Sequence, residues 1–179
     1  MSGQMADVIV IDDVEYAVVE PEPGALFEPR EHGLHPVMTH TANTRGVLAR
    51  YRIDEGRVLL SDLQVGHVGA PPPLGTVEAT TDEHERVWTY LDVDVPVRWT
   101  GDLIAGAEPI LDLYVHSGFA PVWHYVRVLA LDVEDGLVEG AEDRSAQVAA
   151  FREARTDDDQ NAVARLLHAI RVRRPGGED

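Results

Sequence analysis

The sequence predicts an α+β fold: a mainly antiparallel β-sheet, built as a sandwich or a partly open barrel, followed by one or two C-terminal helices. Three observations carry this. Short apolar runs alternate with turn signals from residue 8 to about residue 140. Two of those turns, Asp54-Glu55-Gly56 and Glu134-Asp135-Gly136, have the acidic-Gly chemistry of tight hairpins. After residue 141 the apolar spacing changes from two to three and four, as on a helix face. A chain of 179 residues, 44% of them hydrophobic, suits one β-rich domain over 1–174, helical from about 144, with 175–179 a disordered tail.

"DVIVID" and "EYAVVE" read as two strands around Asp12-Asp13. "EPEPGALFEPREHGLHP" is a long loop, and long loops in compact domains are often functional. "TRGVLARYRIDEGRVLLSDLQV" is the clearest hairpin, with Tyr51 and Ile53 on one face and Arg50 and Arg52 on the other. The prolines of "GHVGAPPPLG" impose an extended connection. In "YLDVDVPV", Leu91, Val93, Val95 and Val97 alternate with Asp92, Asp94 and Pro96, which predicts a strand with one wet face at an edge or bulge. "ILDLYV" is a further strand, broken by Ser117-Gly118, and "WHYVRVLALDV" is the next, returning through "LVEG". The two acidic-Gly hairpins fit an internal duplication no better than they fit two independent hairpins. Ala146 to Arg155 is helical, with Ser145 as N-cap and Val148 and Phe151 as its stripe. The acids of "TDDDQ" suit the start of a second helix, on which Val163, Leu166, Leu167 and Ile170 recur.

Composition excludes several chemistries. With no cysteine there are no disulfides, thiolate metal sites or cysteine nucleophiles. All 15 basic residues are arginine, so Schiff-base chemistry and the phosphate-loop lysine are absent. The net charge of −17 opposes binding to nucleic acid or anionic membrane. The one basic cluster, "RVRR" at 171–174, reads as a solvated helix C-terminus. No apolar run is long enough to span a bilayer, and the opening residues lack the basic start of a signal peptide, so the expected location is the cytoplasm. No calcium loop, G-x-S-x-G elbow, P-loop or dinucleotide fingerprint occurs.

Three groups of residues are candidates for chemistry. His32, His35 and His40 are closely spaced imidazoles, the side chains that most often ligate zinc, and a divalent metal is their implied cofactor. His116 shares strand parity with Asp112 and Tyr114, the pairing a general base requires, and His124 faces it across the Ser-Gly break. Asp92 and Asp94 are the third group, candidates for a hard cation or a paired acid and base. Each has a plainer reading: a solvated loop, strand histidines bonded to carbonyls, and the wet face of an edge strand. Trp123 and Tyr125 read as core.

The stretches "TRGVLARYRIDEGRVLL", "WTGDLIAG" and "YVHSGFAPVWHYVRVLALDVEDGLV" resemble a loose set of small uncharacterised bacterial proteins that share a YVHxGFxPxWxYxxV segment. The resemblance spans about residues 44 to 140 in pieces and brings no assigned chemistry. By analogy with other small acidic proteins it suggests an immunity-like or accessory factor. The functional expectation is therefore an acidic, non-enzymatic interaction module with a protein partner, able to dimerise through an exposed edge. The alternative is a small metal-assisted hydrolase or isomerase. It requires three or more of His32, His35, His40, His116 and the acids Asp92 or Asp112 in one pocket.

Overall fold

The computed structural model of the chain describes residues 2–22, 24–81, 86–113, 116–154 and 160–171, the side chains of 160–162 excepted. The strands are β1 (Val8–Ile11), β2 (Val14–Glu20), β3 (Val47–Asp54), β4 (Arg57–Gly66), β5 (Thr80–Thr81), β6 (Val87–Tyr90), β7 (Val95–Pro96), β8 (Gly101–Pro109), β9 (Tyr125–Glu134) and β10 (Leu137–Asp143). Helices α1 (Ser145–Ala154) and α2 (Gln160–Ile170) follow. No helix among the described residues is long and apolar enough to cross a membrane.

The hairpins form where their turns predict. Asp12 and Asp13, Glu55 and Gly56, and Asp135 and Gly136 all have φ between 45° and 79°, the left-handed pair that a two-residue type I′ turn needs. The sheet runs β10-β9-β8-β2-β1-β3-β4-β6-β5, antiparallel except for the parallel pair β1 and β3. It rolls until β10 meets β4, where Leu137 stands opposite Arg57. The Val58 N–H donates to the Gly136 carbonyl, and the Val138 N–H to the Gly56 carbonyl, each at 2.8 Å. The tips of two hairpins thus complete one another's bonding and join β10, one end of the path, to β4. The result is the mainly antiparallel, partly open barrel of an α+β chain.

Two cores follow from this rolling. Ile9, Tyr16, Tyr51, Leu60, Leu63, Leu103 and Leu131 are buried within the barrel. On the outer surface, Ile104, Val128 and Ala130 meet Val148, Leu166 and Ile170 of the helices. β8 and β9 are therefore covered on both faces, which is why "LIAGA" and "VLALDV" are nearly unbroken apolar runs. Each large aliphatic side chain so buried contributes roughly 1.5–3 kcal/mol. Arg152 of α1 donates to the carbonyls of Trp123 (2.8 Å) and Tyr125 (2.7 Å), fastening the helix to the entry of β9. Arg171 at the end of α2 pairs with Glu20 of β2 at 3.1 Å, and residues 172–174 of the basic cluster lie outside the described residues. So do the acids 157–159 and the tail at 175–179.

Three predicted elements differ. "YLDVDVPV" is not one strand. β6 ends at Tyr90, and Asp92 and Asp94 adopt φ of 53° and 50° before the two-residue β7. Aspartate tolerates that conformation because its short side chain bonds locally. "ILDLYV" is not a strand over its described part: Leu111–Leu113 is a single 3-10 turn, and Tyr114 and Val115 lie outside the described residues. Leu111 is 83% exposed, so the alternation there does not mark a buried face. Ser145 is not the N-cap but the first residue of α1. Its N–H donates to Asp143 at 2.8 Å, and its hydroxyl accepts from the Val128 N–H at 3.0 Å.

Candidate functional site

The long connection from β2 to β3 is a packed cover. Leu26, Phe27 and Leu34 are buried against the barrel interior. Its return leg is pinned at Val37, whose N–H donates to the Gly66 carbonyl at 2.8 Å. A Cβ at Gly46 or Gly66 would stand 2.1 Å from the Val37 oxygen, so glycine is required at both positions for this close approach.

Between this cover and β3 lies a cavity of about 340 Å³. Glu28, Arg30, Arg45 and Asp7 are its charged lining residues, and Asp7, just before β1, is only 3% exposed. Asp7 accepts from the Arg45 guanidinium at 2.9 and 3.4 Å and from the Ala49 N–H at 3.0 Å. Buried charge persists when it is paired and hydrogen-bonded in this way. The Arg45 guanidinium also lies 5.7 Å over the ring of Phe119. Tyr51 is fully buried in the cavity wall, and its hydroxyl has no hydrogen-bond partner. Burial, and secondarily the charge of Asp7, push the Tyr51 hydroxyl well above the ordinary tyrosine range, so it is protonated at neutral pH.

On the other side of Arg45 a shallow groove runs along the N-terminal segment. Gln4 holds it together. Its N–H donates to the Gly118 carbonyl at 2.7 Å, and its side chain bonds the Thr41 carbonyl at 2.8 Å and the Thr44 hydroxyl at 2.7 Å. One half, about 320 Å³, includes Met5, Ile110, Leu111 and His124, and the other includes Met38, Thr41 and Ser117.

The predicted site residues are scattered. His32 ends a 3-10 turn and stacks on Phe27, ring centroids 4.8 Å apart. His35 is exposed, and His40 accepts through Nδ1 from the Ala42 N–H at 3.3 Å. Among the described residues no group of three or more His, Asp or Glu side chains is placed to hold a metal ion. His116 is exposed, and Asp112 sits in the 3-10 turn, so the shared strand face expected for them does not exist. His124 packs its ring edge-on to Trp123 at 5.9 Å and borders the groove. Asp94 pairs with Arg52 at 3.0 Å, while the Asp92 N–H donates to Asp62 at 3.1 Å. Trp123 and Tyr125 are buried in the outer core, as expected.

Asp7, Arg45 and Tyr51 carry no signal of their own in the sequence. Asp7 and Arg45 are 38 positions apart, and nothing local marks either among 32 acids and 15 arginines. The one pointer is the long loop, whose cover over the cavity fits the functional weight given to such loops. No family model matches the chain, and no curated protein or solved structure matches it.

Proposed function

We propose that the chain is an acidic, non-enzymatic protein-interaction module of the immunity-like or accessory kind, docking a basic partner along the Gln4 groove. The observation that carries this is the gathering of exposed apolar side chains there. Met5 is 45% exposed, Met38 62% and Leu111 83%, and all three line the groove. Contiguous exposed apolar surface marks contact sites, whereas scattered single residues do not. A net charge of −17 favours a partner of opposite sign and speeds its encounter.

The test is site-specific photo-crosslinking from Thr41 inside bacterial cells, comparing the wild-type chain with a Met38→Asp/Leu111→Asp double variant. Both positions are exposed, so stability should change by no more than about 0.5 kcal/mol at each. One basic protein should crosslink to the wild-type chain and fall at least tenfold in the variant. Equal crosslinking in both, or none in either, would sink the reading. A crosslinked second copy of this chain would replace the foreign partner with a homodimer.

A further inference from the structure

We propose that Met5 and Met38 are an oxidation-sensitive pair through which a hydroperoxide closes the partner groove, an inference that rests on the docking reading above. The chain has no cysteine and three methionines, so thioethers are its only sulfur. Met1 lies outside the described residues. The other two both line the groove, Met5 in one half and Met38 in the other. Both are well exposed, and neither belongs to either core. Their backbones are anchored: the Met5 N–H donates to the Ala42 carbonyl at 2.9 Å, and Val37, beside Met38, is pinned to Gly66. An oxidant therefore reaches either sulfur without any opening of the fold.

Hydrogen peroxide suits this surface. It is small and uncharged, so a net charge of −17 does not keep it away. Thiolates, its usual competing targets, are absent from the chain. The sulfur lone pair attacks one peroxide oxygen. An S–O bond forms, the O–O bond breaks, and the displaced hydroxide leaves as water with the proton of the transferred oxygen. Sulfur gives up two electrons and the peroxide takes two. The product is a polar, chiral sulfoxide, which methionine sulfoxide reductases reverse. A flexible apolar thioether adapts to the apolar side chains of a partner. A sulfoxide in its place must lose its water to be covered, and an apolar partner returns no hydrogen bond. Two sulfoxides, one in each half, make the groove polar and leave the barrel as it was.

The experiment uses the purified full chain with the photo-crosslinker at Thr41, beside the same chain carrying Met5→Leu/Met38→Leu. Each is treated with hydrogen peroxide at neutral pH, desalted and crosslinked in bacterial extract, and peptide mass spectrometry follows oxygen addition. Both sulfurs should oxidise within about threefold of the rate of N-acetylmethionine amide, as exposed thioethers do. The oxidised chain should keep its Tm within about 2 °C, since changes away from the core alter stability little. Crosslinking should fall about fivefold or more in the oxidised wild type and recover after treatment with methionine sulfoxide reductases. It should survive peroxide in the leucine variant, whose side chains are equally apolar but carry no sulfur. The proposal is overturned if either sulfur reacts more than about tenfold slower than the model compound. It is also overturned if the oxidised wild type crosslinks as well as the untreated chain, or if peroxide lowers crosslinking equally in the leucine variant. If the leucine variant does not crosslink even untreated, recovery under the reductases decides. Absence of crosslinking by the untreated wild type would instead fail the docking reading, so the two failures are told apart.

Discussion

Asp7 joins the covering loop to the barrel wall through one carboxylate. Arg45, which it holds, lies at the end of the loop, and the Ala49 N–H belongs to β3. Removing one member of a buried ion pair typically costs about 3–5 kcal/mol, because the other charge is left without compensation. Arg45 keeps 22% exposure, so water recovers part of that loss. Asp7→Ala should therefore lower the unfolding free energy by roughly 2–3 kcal/mol in urea titrations, and an effect within experimental error would show that the pair is not structural. The pair was invisible in the sequence because it forms across 38 positions, while "MSGQMAD" reads as a polar approach to a strand. Burial of individual aromatics was easier to read: Trp123 and Tyr125 sit in an apolar run that leaves them few places but a core.

At α1 the predicted cap, Ser145, is instead the first helical residue, and Asp143, two positions before it, takes its N–H. The Ser145 hydroxyl and N–H both bond the Asp143 carboxylate and hold it below the usual aspartate range. A carboxyl whose pKa is depressed by folding stabilises the fold above its unfolded value of about 3.9, and that contribution disappears as pH falls through the folded value. The Tm difference between wild type and Asp143→Ala should therefore be largest near neutrality and shrink below about pH 4. A difference that stays constant to pH 2 would exclude this linkage. Periodicity found both helices to within a residue or two where α1 is concerned, and turn chemistry found the hairpins. Both are local properties. It failed at 91–97, where a two-residue alternation arose from aspartates in left-handed turn conformation bonded to Asp62 and Arg52. It failed again at 111–113, where an apolar residue every second position belongs to a 3-10 turn with Leu111 in solvent. The three histidine and carboxylate groups looked convergent only because they are close in the chain; convergence in space depends on strand order, which no local pattern encodes.

The barrel depends on the meeting of two hairpin tips. A Cβ at Gly136 would lie 2.0 Å from the Val97 carbonyl oxygen, and φ there is +79°. Gly56 has nearly the same φ, +78°, with nothing within 4 Å of its Cβ position. Gly56→Ala should cost about 1–2 kcal/mol from backbone conformation alone, and Gly136→Ala about 1–3 kcal/mol more from the clash, as read by urea denaturation. Equal losses would mean that Val97 yields without penalty. The same junction governs the order in which the chain can assemble. Arg57 donates to the Asp135 carbonyl across 78 positions, so the ring is completed by a contact between segments far apart in the sequence. Distant closures are slow, because the entropy of bringing the ends together is spent before any contact rewards it. During synthesis, β3 and β4 leave the ribosome long before β10 exists to meet them. Until then the Arg57–Val58 end of β4 is an open strand edge beside unsealed core, the surface on which nascent chains pair with one another or recruit a chaperone.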